Sequence, residues 1–262
     1  MDYPTLIALI MSSIVGLCVG SFLNVVIYRL PKGMSLAKPS SHCTTCDYSL
    51  RWYDNIPVLS YLMLGGKCRK CKQKISPRYM IVELLNAILW AGSVLLFFNL
   101  TTSGIVTTVV SCVLSSVLIS VAFIDLDEMI ILDRFNIIIA VLGVVMIFFD
   151  PFTVWYDHLI GSAVAGLVFG GVYYGSRAIL KKEGMGFGDV KLSVCAGLLL
   201  GWQRFILSML IASLSACFIL LPLRRRGEEG REYPFAPFIT FGVLVAFLFG
   251  AEIITAYINL IL

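Results

Sequence analysis

The sequence predicts an all-α polytopic membrane protein of about eight transmembrane helices, and three observations carry that expectation. Hydrophobic residues make up 59% of the 262 positions and charged residues only 14%, with a mean hydropathy of +0.92. Apolar runs of about 20 residues, the length needed to cross roughly 30 Å of hydrocarbon, recur along most of the chain. The Lys and Arg residues gather in the polar segments between alternate runs.

The first span is read over residues 6–27, too long for a signal-peptide core and without a small-residue cleavage site, so it is expected to be retained. Residues 29–78 interrupt the pattern. They are polar, basic and punctuated by Pro31-Lys32-Gly33, Pro39-Ser40-Ser41 and Gly65-Gly66, and they read as a loop module. Residues 80–100, 104–124, 129–149 and 158–179 supply four more spans, the last with Gly161, Gly166, Gly170, Gly171 and Gly175 placed for close helix packing. The run 190–200 is short and is expected to tilt or to borrow length across Gly201-Trp202. Residues 205–223 and 235–260 complete the set, joined by a mixed-charge loop at 224–232 that is expected to be mobile.

Charge placement sets the topology. With eight spans, every Lys and Arg except Arg204 falls on one side, in 29–78, at Arg134, in 177–191 and in 224–231. The positive-inside rule makes that side cytoplasmic and puts both termini outside. A seven-span count breaks the separation. The expected organisation is a first helix at 1–28, a cytoplasmic loop module at 29–78 and a transmembrane core at 79–262.

Within the loop module, Cys43-Thr44-Thr45-Cys46 and Cys68-Arg69-Lys70-Cys71 form two CxxC knuckles about twenty residues apart. That spacing matches a closed four-thiolate zinc site, in which the metal substitutes for a core too small to hold the loop. The module is therefore expected to be zinc-ribbon-like, with Cys43, Cys46, Cys68 and Cys71 as ligands of a structural Zn2+. A disulfide framework competes, but the topology puts these thiols in a reducing compartment. Nucleic-acid binding is not expected of a basic ribbon held between two membrane spans. Cys18, Cys112, Cys195 and Cys217 lie in apolar runs and read as packing residues. His42 is not expected to be a ligand where four thiols are available, and His158 reads as an outer-face interfacial residue.

Two aspartates stand at the mouths of apolar runs: Asp125 closes 104–124, and Asp189 opens 190–200 within Gly186-Phe187-Gly188-Asp189. A carboxylate at a membrane helix is costly unless paired, hydrated or in use. Two carboxyl groups sharing a site do not both ionise readily, so one serves as acid while the other activates water. The flanking glycines leave room for a peptide backbone. Capping of helix ends at the surface is the competing role, and the favoured one for Asp127, Glu128 and Asp133.

The whole chain resembles the bacterial type IV prepilin peptidases, membrane aspartyl enzymes of the GxGD type. The resemblance is carried, in the family's order, by Gly20-Ser21-Phe22-Leu23-Asn24-Val25-Val26-Ile27-Tyr28-Arg29-Leu30-Pro31, the paired CxxC, Asn55-Ile56-Pro57-Val58-Leu59-Ser60-Tyr61, Ile75-Ser76-Pro77-Arg78-Tyr79 with Val82-Glu83-Leu84, the GxGD motif and Pro234-Phe235-Ala236-Pro237-Phe238. It implies cleavage of the leader of prepilins or pseudopilins at the cytoplasmic face of the bacterial inner membrane. Asp125 and Asp189 would be the catalytic pair and the four cysteines the zinc ligands. It also implies N-methylation of the new terminus with S-adenosylmethionine. No Gly-rich nucleotide loop is visible, so that site is expected to be built around Asn24, Arg29 and Glu83, whose competing roles are interhelical hydrogen bonding and interfacial anchoring. The chain departs from the family at Leu132-Asp133, where a proline is usual, and at Cys-Thr-Thr-Cys, where CPxC is common. A proton-coupled transporter, a peptidase-only relative and a zinc-module scaffold are the alternatives. A transporter is expected to show midplane polar groups and paired broken helices in two halves, which this sequence lacks.

Overall fold

The computed structural model describes residues 2–180, 185–225 and 233–261. Over these the chain is helical: α1 (Tyr3–Arg29), the short α2 (Leu59–Met63), α3 (Arg78–Phe97), α4 (Thr102–Glu128), α5 (Asp133–Phe149), α6 (Trp155–Leu180), α7 (Phe187–Leu200), α8 (Trp202–Arg225) and α9 (Ala236–Ile261). No strand forms among the described residues. Isolated bridges join His42 to Ser49 and Lys67 to Lys74. Six helices, α1, α3, α4, α6, α8 and α9, are long and apolar enough to cross a membrane. The other two expected spans correspond to α5 and α7, of 17 and 14 residues. Residues 226–232, most of the loop read at 224–232, lie outside the described residues.

Most helices run a few residues beyond the apolar stretches, because a helix does not end where hydropathy does. The span expected at 129–149 starts later, at Asp133. Met129 turns into the left-handed region at φ 53° and its N–H donates to the Asp125 carbonyl, ending α4. A hydropathy pattern does not register that cap.

The chain packs as two compact units, Met1–Asn99 and Leu100–Leu262. The division comes after α3, later than the polar boundary at residue 78, because α3 packs on α1. A Cβ at Gly20 would lie 2.7 Å from the Glu83 Cα, so the two backbones nearly touch. Asn86 Nδ2 donates to the Gly16 carbonyl at 2.7 Å, and Asn24 Nδ2 to the Tyr79 carbonyl at 3.1 Å. Small residues for approach and amides for interhelical bonds are what apolar surroundings favour.

In the second unit α4 is the most enclosed span, with 72% of its apolar window buried. Its Ser115, Ser116 and Ser120 hydroxyls donate to carbonyls of their own helix, so these buried polar groups are satisfied. The short α7 packs against α5 and α6. Gly161 of α6 and Gly197 of α7 meet backbone to backbone, and a Cβ on either would strike the other's carbonyl.

Arg204, the exception to the charge separation, is 3% exposed and paired with Asp150, also buried. Its Nε donates to the Leu200 carbonyl at 2.8 Å. His158 joins the same cluster, correcting the expected interfacial placement: it is fully buried, its Nδ1–H donates to the Leu198 carbonyl at 2.9 Å and its Nε2 lies 2.9 Å from Thr153 Oγ1. Charge counting sees one unpaired cation where the fold holds a buried ion pair. Removing one partner strands the other charge, so Arg204→Met should cost about 3–5 kcal/mol. The double change Asp150→Leu with Arg204→Met should cost less, and thermal unfolding in detergent measures both.

Candidate active site and metal centre

The two CxxC segments fold alike. In the first, the Cys43 N–H donates to Tyr48 O at 2.9 Å, the Asp47 N–H donates to Cys43 O at 2.9 Å, and Asp47 takes φ 52°. In the second, the Cys68 N–H donates to Gln73 O at 2.8 Å, the Lys72 N–H donates to Cys68 O at 3.0 Å, and Lys72 takes φ 60°. Two matching turns thus aim two pairs of sulfurs at one point. All four Sγ atoms lie within 4.8 Å of one another. Cys43–Cys71 is 3.8 Å and Cys46–Cys68 is 3.9 Å. A disulfide needs about 2.05 Å, whereas four sulfurs at about 2.3 Å from a tetrahedral ion are about 3.8 Å apart.

Asp54 ties the knuckles together and was not singled out from the sequence. Its Oδ1 accepts from Arg69 Nε at 2.7 Å, and its Oδ2 accepts from Tyr48 O–H at 3.2 Å and from the Arg51 N–H at 3.4 Å. Arg69 belongs to the second knuckle and Tyr48 follows the first. Burial raises the Asp54 pKa, but the Arg69 guanidinium and the other two donors outweigh it and hold the carboxyl below its usual range. The motif arithmetic of cysteines carries no trace of this aspartate.

Asp125 at the C-terminal end of α4 and Asp189 at the N-terminal end of α7 belong to the same unit, at ends that adjoin through the packing of Ile131, in the α4–α5 connection, against Gly188. Asp125 is 6% exposed, and its Oδ2 accepts from the Ala236 N–H at 3.1 Å, at the start of α9. That contact explains the Pro234-Phe235-Ala236 segment: a helix N-terminus offers unpaired N–H groups, and one of them orients this carboxylate. Asp189 is half-buried. A Cβ on Gly186 would come within 3.3 Å of its Oδ2, so Gly186 leaves space for the carboxylate itself. Gly188 instead admits Ile131, whose Cβ would lie 3.1 Å from an added Cβ. The close approach expected of a substrate backbone is, at Gly188, made by the α4–α5 connection. Asp127, Glu128 and Asp133 are exposed, and Asp133 pairs with Lys191 Nζ at 2.8 Å.

In the first unit, Glu83 is buried and its Oε2 accepts from the Val58 N–H at 2.7 Å. Val58 takes φ 61°, a conformation unfavourable for a β-branched residue, and the carboxylate holds it there. Asn24 is engaged with Tyr79. Arg29 Nη1 donates to Ser35 O at 3.1 Å, and its side chain lines a cavity of about 400 Å3 with Ser21, Phe22, Asn55 and Pro57. Of the three residues expected around a methyl donor, Arg29 lines this cavity, while Asn24 and Glu83 are not among its lining residues.

Fold and site together define a polytopic helical membrane protein with an aspartate at the end of α4, another at the start of α7, and a four-cysteine cluster in its first unit. The chain belongs to the type IV leader peptidase family: residues 112–221 match that family, and residues 14–97 match the bacterial peptidase A24 N-terminal domain. It is 34% identical over 274 residues to a "Prepilin leader peptidase/N-methyltransferase" of Aeromonas salmonicida, covering 94% of this chain and 92% of the relative. A protein of the same name from Pseudomonas aeruginosa is 34% identical over 271 residues, with the same coverage. One from Myxococcus xanthus is 36% identical over 218 residues, 83% of this chain and 64% of the relative. No solved structure matches. Family membership sets aside the transporter and scaffold readings.

Proposed function

We propose that the protein removes the leader from type IV prepilins or pseudopilins with Asp125 and Asp189, and methylates the amino terminus so exposed. What supports the peptidase reading is the placement of two carboxylates at adjoining ends of α4 and α7, one oriented by the α9 N-terminus and the other given room by Gly186. In hydrolysis one carboxylate takes a proton from water as the oxygen attacks the scissile carbonyl carbon. The other, protonated, gives its proton as the C–N bond breaks, leaving a carboxyl on the leader and an amine on the pilin. α7, at 14 residues, rises about 21 Å, less than the roughly 30 Å of hydrocarbon. An end of α7 that lies inside the apolar layer suits cleavage where a basic leader meets a hydrophobic segment. The charge asymmetry supports a cytoplasmic orientation in the inner membrane.

The sulfur separations fit a tetrahedral Zn2+ held by Cys43, Cys46, Cys68 and Cys71. Four thiolates leave no position for substrate, so the metal's part is to hold the loop while Asp54 sets the knuckles. S-adenosylmethionine supplies the methyl group, and the Arg29 cavity, with a guanidinium for the donor's carboxylate, is the place proposed for it. Arg29→Ala should therefore reduce methylation at least about tenfold with leader cleavage kept, read by mass spectrometry of both products. The test of the whole reading is the reconstituted protein with a synthetic prepilin, with and without S-adenosylmethionine. An uncleaved peptide overturns it, and cleavage without methylation makes the protein a peptidase only.

A further inference from the structure

A groove of about 470 Å3 opens between α5 and α7, lined by Asn136, Ile137 and Ala140 on one side and Phe187, Val190 and Val194 on the other. Phe187 and Val190 flank Asp189 in the chain, which places the groove along the first turns of α7, although Asp189 is not among its lining residues. Its rim is exposed and largely apolar, Ile137 at 62% and Phe187 at 47%, with the Asp133–Lys191 ion pair on it. Inside it lies an anomaly. Asn136 is 95% buried, and neither its Oδ1 nor its Nδ2 has a hydrogen-bond partner among the described residues. Buried amides are nearly always satisfied, most stringently in apolar surroundings, and an orphaned one calls for an explanation. The groove is far larger than the roughly 10–15 Å3 that a single water needs.

Resting on the peptidase reading above, we propose that this groove receives the apolar segment of the prepilin just after the scissile bond, and that the Asn136 amide pairs with the backbone of the substrate there. The chemistry of cleavage supplies the argument. A peptide bond within a helix is shielded, so the stretch around the scissile bond must unwind before water attacks it. Unwinding in an apolar layer leaves peptide N–H and C=O groups without partners, which is costly. Asn136 carries the complement, a carbonyl acceptor and an N–H donor on a single amide, whereas Asp133, three residues earlier on α5, is already engaged by Lys191. The largely hydrophobic rim suits a pilin segment that is apolar by composition.

The test uses the full-length protein in proteoliposomes with a synthetic prepilin spanning the leader and the apolar segment. Asn136→Leu should lower kcat/KM about tenfold, chiefly through KM. Because it removes an unsatisfied amide, it should leave the thermal midpoint unchanged or raise it. A photo-crosslinker at position 137 should capture the pilin immediately after its cleavage site, and excess unlabelled prepilin should compete. Unchanged kcat/KM in Asn136→Leu, a loss of activity that tracks a loss of stability, or crosslinks to lipid alone would each overturn the groove assignment while the wild type still cleaves. A wild type that leaves the peptide uncut would instead overturn the peptidase reading, and the groove with it.

Discussion

Asp125→Asn and Asp189→Asn should each reduce leader cleavage by roughly 100- to 10,000-fold or more, the range set by losing positioned acid–base groups. Asparagine keeps the shape of the side chain and an acceptor oxygen for the Ala236 N–H, so Asp125→Asn should still insert and fold. It cannot exchange the proton. In a pair that shares one proton each member is useless without the other, so the double variant should be no worse than either single one. Both single variants should still methylate a pre-cleaved pilin peptide, since the aspartates and the Arg29 cavity belong to different compact units. Asp133→Asn should be mild: it loses only an exposed ion pair with Lys191, worth about 0–1 kcal/mol. Mass spectrometry of the reaction products reads all of these. Robust cleavage by either purified Asp→Asn variant would remove the paired-aspartate mechanism.

Loss of the metal should have the second-largest effect, and on structure before chemistry. Cys68 is 4% exposed, so Cys68→Ser should leave a buried hydroxyl where a thiolate is needed. Structural zinc sites of this kind are worth about 10–16 kcal/mol of coupled folding. We expect about one zinc per chain in the wild type, well below that in Cys68→Ser, and faster proteolysis within residues 29–78. Asp54→Asn should retain more metal than Cys68→Ser, because it weakens the support of the knuckles without removing a ligand. A wild-type protein free of zinc, or a Cys68→Ser protein with a full complement, would exclude the assignment. If leader cleavage survives once the loop is destabilised, the module is not needed to form the aspartate site.

The helical class, the order of the spans and the cysteine quartet could be read from one dimension, and the two aspartates stood out there as candidates. Each depends on composition or spacing: a bilayer demands runs of about 20 apolar residues, a tetrahedral site demands paired knuckles, and a carboxylate in an apolar run stands out by its cost. What could not be read was whatever depends on partners distant in the chain. Ala236 orienting Asp125 spans 111 residues, Asp150 neutralising Arg204 spans 54, and Arg69 clamping Asp54 spans 15. His158 was misplaced for the same reason, since a histidine near the end of an apolar run looks interfacial until Leu198 and Thr153 close around it. The identity of the chemical groups was determined by the sequence alone. Their pairing, the cap that ends α4 at Met129 and the orphaned amide of Asn136 were decided only by the tertiary structure, because a hydrogen bond depends on distance and direction in space, to which residue spacing along the chain is blind.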